Sequence, residues 1–172
     1  MGDDIVELGA KPGEAPKSER GFPVAPFFDL DTLWFQVAGT LCNLTCTHCF
    51  ISCSPTNHAH EMMDLATVRR FLAEAAARGV KEYYFTGGEP FMNKEMFEIL
   101  EETLRVGPAN VLTNGVLITS ERARRLKALS DASDYSLEIR ISIDGYDAAS
   151  FIQTFGHGPV PARPHPRAQV RA

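Results

Sequence analysis

Four short runs rich in aromatic and β-branched residues alternate with stretches whose apolar positions recur at helical spacing. Leu33-Trp34-Phe35-Gln36-Val37-Ala38 reads as a first strand. Gly39 to about Met63 then forms a long loop, and loops of that length are usually functional. Asp64 is placed to cap a helix over about Leu65–Arg78, with Leu65, Val68, Phe71, Leu72 and Ala75 on one face and Gly79 as its stop. Lys81–Thr86 is the second strand, followed by the tight Gly87-Gly88-Glu89-Pro90. Asn93 is positioned to cap a second helix reaching about Arg105, burying Met96, Phe97, Leu100 and Leu104. Ala109–Thr113 is a third strand that ends in Asn114-Gly115, about Ser120–Leu129 a third helix, and Leu137–Ile143 a fourth strand.

Strands alternating with helices predict an α/β fold with a parallel sheet or barrel. In the fourth strand Leu137, Ile139, Ile141 and Ile143 alternate with Glu138, Arg140, Ser142 and Asp144. A parallel strand buried on both faces is usually apolar throughout, so this polar face points to a site. Trp34, Phe35, Tyr83, Tyr84 and Phe85 are expected in the core.

Three segments are expected along the 172 residues. Residues 1–31 form an irregular leader rich in Pro and Gly, residues 32–150 the folded unit, and residues 151–172 a disordered Pro/Arg-rich tail. The tail has the composition of a GC-rich gene read out of frame, so a frameshift near residue 150 is the sharper expectation. Its arginines, Arg163, Arg167 and Arg171, follow the last acidic residue, Asp147, so the tail carries +3 and residues 1–147 carry −8, for a net −5. That balance argues against a general nucleic-acid surface. With 44% hydrophobic and 23% charged residues the chain is composed like an ordinary globular protein. No apolar run reaches the roughly 20 residues that span a bilayer, and the acidic N-terminus does not read as a signal peptide. A cytoplasmic protein without membrane partners is expected.

All four cysteines, Cys42, Cys46, Cys49 and Cys53, fall within twelve residues of the long loop. A disulfide framework would spread them to staple distant segments, so the cluster points to a metal or to redox chemistry. Cys42, Cys46 and Cys49 can supply soft thiolates to three irons of a [4Fe–4S] cube and leave the fourth open. A structural zinc knot, a thiol redox pair at Cys46-Thr47-His48-Cys49 and a closed four-ligand site including Cys53 are the alternatives. Cys53 is more simply a free loop thiol, and His58 and His60 solvated loop residues.

The spacing Cys-x3-Cys-x2-Cys after the first strand, with Gly87-Gly88-Glu89-Pro90 after the second, Thr113-Asn114-Gly115 after the third and Ser142-Ile143-Asp144-Gly145 after the fourth, closely resembles the radical S-adenosylmethionine (radical SAM) enzymes over about residues 33–150. The motifs sit in the family's order at strand C-termini, where βα barrels build active sites. The resemblance implies a partial TIM-like (β/α) barrel with about four of the usual six strands. It implies a [4Fe–4S] cluster on Cys42, Cys46 and Cys49 and S-adenosylmethionine chelated to the open iron. Gly87, Gly88, Glu89 and Pro90 would meet the methionyl ammonium through their backbone, and Asn114, Ser142 and Asp144 the ribose or methionyl carboxylate. His48 takes the place of an aromatic side chain near the adenine. One electron from an external donor such as a flavodoxin or ferredoxin would cleave the cofactor into methionine and a 5′-deoxyadenosyl radical. That radical would take hydrogen from a substrate such as a peptide or cofactor precursor. A truncated, non-catalytic iron–sulfur-binding fragment is the second expectation. The family's glycine-rich adenine segment after strand five has no counterpart in the sequence.

Overall fold

A computed structural model of the chain describes residues 29–143. The expected leader before residue 29, Asp144 and the tail lie outside them. Strands β1 (Thr32–Gln36), β2 (Glu82–Thr86), β3 (Ala109–Thr113) and β4 (Leu137–Ile141) form one sheet in the order β1-β2-β3-β4. Every pair is parallel, with Phe35 opposite Phe85, Phe85 opposite Val111 and Val111 opposite Ile139. Helices α1 (Leu65–Ala77), α2 (Met96–Thr103) and α3 (Ser120–Asp131) make the crossovers that parallel pairing requires.

The helix ends follow from local chemistry. The Asp64 carboxylate accepts from the Thr67 amide at 2.7 Å, and the Thr119 hydroxyl accepts from the Arg122 amide at 3.3 Å, satisfying donors that a first helical turn leaves open. Gly79, at φ +78°, ends α1 in the left-handed region. The second helical segment differs from the sequence expectation. Glu89, not Asn93, begins it with a short 3-10 turn over Pro90–Met92, and α2 proper starts at Met96. Asn93 has two tasks: its Oδ1 accepts from Glu95 N at 2.9 Å just before α2, and its Nδ2 donates to Val37 O at 2.9 Å and Met63 O at 2.8 Å, joining the two ends of the cysteine loop.

Strand alternation sets the core. Phe35, Tyr83, Phe85, Ala109 and Val111 point to one face and are buried with Val68, Leu72, Ile99, Leu100 and Leu126 from the helices. The opposite face carries Trp34, Tyr84 and Arg140. The expectation that all five aromatics lie in the core is thus corrected: Phe35, Tyr83 and Phe85 do, whereas Trp34 is 53% exposed and Tyr84 half-buried. Side-chain period 2 puts neighbours in sequence on opposite faces, so no run of aromatics on one strand can be buried as a block in a sheet covered on one side. On β4, Leu137 and Ile139 are half-buried, while Ile141 and Ile143 are 51% and 72% exposed.

One core atom is uncompensated. The Tyr83 hydroxyl is buried without a hydrogen-bond partner among the described residues. Leaving such a group unpaired costs about 1–3 kcal/mol. Tyr83→Phe should therefore raise unfolding stability by about 1 kcal/mol, read from the urea midpoint. A drop of that size would show that the hydroxyl is paired.

Candidate cofactor site

The cysteine loop returns on itself beside the C-terminal ends of the strands. Ser54 N donates to Thr40 O and Cys42 N to Ser54 O, forming an isolated parallel bridge between Leu41 and Ser54. Thr40 N reaches His60 O at 3.2 Å and Met63 N reaches Val37 O at 3.1 Å, so the loop closes where it began. The closure is tight at Gly39, which has φ +55° and where a Cβ would stand 2.1 Å from His60 O. Only glycine fits there.

The Gly87-Gly88-Glu89 turn clasps the loop from β2. Gly88 N donates to Gly39 O at 2.9 Å and Glu89 N to Leu41 O at 3.1 Å. A Cβ on Gly88 would stand 1.9 Å from Leu41 O, and Gly87 has φ +135°, so both glycines are required by close approach and by conformation. The turn spends its amides on the cysteine loop, and its Gly87 and Gly88 carbonyls accept no hydrogen bond from the described residues. These are acceptors of the kind an ammonium needs.

Glu89 is fully buried. Its Oε1 accepts from Thr113 Oγ1 at 2.7 Å and Phe91 N at 3.1 Å, and its Oε2 from Asn114 N at 2.9 Å. The carboxylate therefore ties the end of β2 to the end of β3. Burial pushes its pKa up, against the opposing pull of Thr113, Asn114, Phe91 and the Arg122 charge. Arg122 is itself held by Phe91 O at 3.2 Å and Leu117 O at 3.1 Å. Asn114 carries the connection to the cysteines: its Nδ2 donates to Asn43 Oδ1 at 2.8 Å and lies 3.8 Å from Cys42 Sγ.

The four thiols are gathered in one place and none is in a disulfide. Cys42, Leu44 and Cys53 form a small buried cluster, against which Cys46, Cys49, Ile51 and Val116 pack. Cys42 Sγ accepts from Leu44 N at 3.5 Å and Cys49 Sγ from Cys53 N at 3.3 Å. Amide donors of this kind favour the thiolate form and tune iron–sulfur ligands. Burial raises the Cys42 thiol, and burial together with the neighbouring thiols pushes Cys53 up to about 12. Cys53 is a loop thiol outside any disulfide, and it is buried. His48, His58 and His60 are exposed.

Among the described residues no three His, Cys, Asp or Glu side chains converge on a point that could hold a single metal ion. A [4Fe–4S] cube takes one thiolate per iron and supplies its own sulfides. The donor set, the amides aimed at sulfur and the glycine cradle fit the cube. Ser142 extends β4 at the same end of the sheet, its amide donating to Thr113 O at 2.9 Å, and is exposed. The sequence identified the cysteines and the turn. It did not reveal Asn43, Asn93 and Val116 as their supports, and it offered Thr113-Asn114-Gly115 as a cofactor motif without showing that Thr113 and Asn114 bond Glu89 and Asn43.

The family model described as the Radical SAM superfamily matches residues 37–157. The chain is 35% identical over 127 residues to GTP 3′,8-cyclase of Synechococcus sp. (strain CC9902), covering 70% of this chain and 34% of that protein. It is 34% identical over 110 residues to PqqA peptide cyclase of Rhodopseudomonas palustris, covering 62% and 27%. The chain thus spans about a third or less of the length of these curated relatives. Among solved structures, Streptococcus suis SuiB bound to S-adenosylmethionine superposes with a TM-score of 0.61 at 21% identity, over 75% of this chain and 28% of that one. Native anSMEcpe with bound AdoMet gives 0.56 at 21% identity, over 72% and 35%. These last two likenesses concern the fold, a TIM-like barrel of which the four parallel strands form part. No described helix is long and apolar enough to cross a membrane.

The raised Glu89 pKa gives a signed prediction. A carboxyl that holds its proton more tightly when folded contributes stability that is fully present below the ordinary value of 4.5 and is lost as pH rises through the higher folded value. Urea midpoints of the native chain should therefore carry a downward component as pH rises above 4.5 that is absent in Glu89→Gln. Equal slopes in the two proteins would show that Glu89 does not titrate in that window.

Proposed function

This chain belongs to the radical SAM superfamily, and from that membership we propose that it holds a [4Fe–4S] cluster and S-adenosylmethionine at the ends of β1–β4 for reductive cleavage of the cofactor. The observation that carries the reading is the clasp between Gly87-Gly88-Glu89 and the loop bearing Cys42, Cys46 and Cys49, which brings thiols and open carbonyls to one edge. Bound there, the cluster and cofactor supply methionine and a 5′-deoxyadenosyl radical that takes a hydrogen atom from substrate. Cys42, Cys46 and Cys49 hold the irons. Gly87 and Gly88 accept from the methionyl ammonium through their carbonyls. Glu89 has its side chain committed to Thr113, Phe91 and Asn114, so its part in binding is through its backbone, and Pro90 sets the direction of the turn. Asn114 and Ser142 reach the ribose or carboxylate with Asp144, and His48 borders the adenine.

An external one-electron donor of the flavodoxin or ferredoxin type completes the reaction. A peptide or a cofactor precursor is the substrate class, in line with relatives named for cyclising GTP and the PqqA peptide. The working compartment is cytoplasmic, where thiols stay reduced.

The exposed Ile141 and Ile143 at β4 favour one second reading, a chain that holds the cluster without turning over. Product analysis separates the two. Anaerobically reconstituted and reduced protein should form 5′-deoxyadenosine from S-adenosylmethionine; iron without that product would establish the second reading.

The cysteines give a further prediction. Cys46→Ala should lose the stable cluster, since two thiolates leave the cube underligated, while Cys53→Ala should keep its iron. Native iron content in Cys46→Ala would refute the ligand assignment. Loss in Cys53→Ala would show a four-thiolate site.

A further inference from the structure

The sheet face turned away from the helices carries a feature that packing does not require. Trp34 on β1 stacks on Tyr84 of β2, with ring centroids 4.5 Å apart and planes 14° from parallel. Arg140 of β4 sets its guanidinium 5.4 Å from the centre of the same Tyr84 ring. The Tyr84 hydroxyl donates to Glu82 at 3.0 Å, and Glu138 accepts from Arg140 Nε at 2.6 Å. Tyr84 is therefore fixed by a ring, a cation and a carboxylate. Register puts Trp34, Tyr84, Asn110 and Glu138 in one row across β1–β4, with Asn110 of β3 between Tyr84 and Glu138.

This arrangement is ordered yet unfinished. Trp34 remains 53% exposed on β1, an edge of the sheet. A large indole held flat by its neighbour and left half in water retains apolar surface for another group to cover. Such a surface favours a planar partner, because offset stacking rewards a second ring over an aliphatic chain. The charges nearby narrow the class. Among the described residues that hold Tyr84, Glu82 and Glu138 outnumber Arg140, so a polyphosphate laid on them would meet net repulsion. A neutral heterocycle with N–H donors would meet acceptors.

We propose that the Trp34–Tyr84 pair is a stacking platform for a neutral, purine-like heteroaromatic ring of the substrate, with Arg140, Glu82 and Glu138 holding Tyr84 in place. The proposal rests on the reading above that this chain presents substrate to the cofactor, and it names the part of the substrate that the sheet recognises.

Trp34 is the only tryptophan in the chain, so its emission reports this position alone. Titration of the full chain with inosine should quench that emission saturably, while ribose should leave it unchanged. Equilibrium dialysis with labelled inosine should show binding weakened about tenfold by Trp34→Leu, and kept within about threefold by Trp34→Phe, as base–aromatic stacking implies. Far-UV circular dichroism should be unchanged in both variants, since the side chain is half in solvent. Tyr84→Leu offers a second variant that retains the fluorophore, and it should lose most of the quench.

Emission indifferent to inosine, or native binding by Trp34→Leu, would overturn the proposal. Quenching by S-adenosylmethionine but not inosine would overturn it too and assign the face to the cofactor's adenine. The titration uses no reductant and needs no turnover. Its failure therefore leaves the iron and 5′-deoxyadenosine measurements standing, and their failure leaves it readable.

Discussion

The buried carboxylate of Glu89 joins the parts of this molecule that must stay in register. A charge removed from water costs several kcal/mol unless its surroundings replace the hydration. Here three donors do so: the Thr113 hydroxyl and the amides of Phe91 and Asn114. They come from the end of β3 and from the turn that starts the second helical segment, so satisfying one side chain fixes two strand ends and a helix entry together. Through Asn114 the same network extends to Asn43 and the sulfur of Cys42. The upward pKa shift shows that the donors do not fully offset burial. The fold tolerates that cost where the cysteine loop must be held.

Close approach of backbone to backbone is the second constraint. Gly39 and Gly88 sit where a Cβ would collide with carbonyls of His60 and Leu41, and the loop can lie against the turn only because those positions have no side chain. Asn93 completes the enclosure by bridging Val37 and Met63. The loop is long but not loosely tethered: hydrogen bonds close it at its base, in its middle and along its contact with the turn.

Much of this was legible in residue order. Hydrophobic period and turn residues placed β1–β4 and α1–α3 within a few positions, because each strand is short and bounded by Gly, Pro or Asn and each helix has an apolar stripe. The cysteine spacing and the glycine turn were visible as motifs. What the sequence hid was long-range. The pairing of Thr113 with Glu89 spans 24 positions and that of Asn114 with Asn43 spans 71, and no local pattern marks such partners. Asn93 looked like a cap because Asn favours caps, and its Oδ1 does accept from Glu95 N; hidden was that its Nδ2 also bonds the carbonyls at the two ends of the cysteine loop. Trp34 and Tyr84 looked like core because aromatics usually are. Their exposure follows from facing the side of the sheet that the helices do not cover.

These constraints converge on one claim, that the cysteine loop, clasped by Gly87-Gly88-Glu89, presents a cluster with an open iron to S-adenosylmethionine. Electron paramagnetic resonance of the anaerobically reconstituted, reduced protein tests it most directly. The account predicts a [4Fe–4S]⁺ signal whose shape changes when S-adenosylmethionine is added, because the cofactor's amino and carboxylate groups take the open position. A cluster signal indifferent to the cofactor, or no [4Fe–4S]⁺ signal at all, would contradict it.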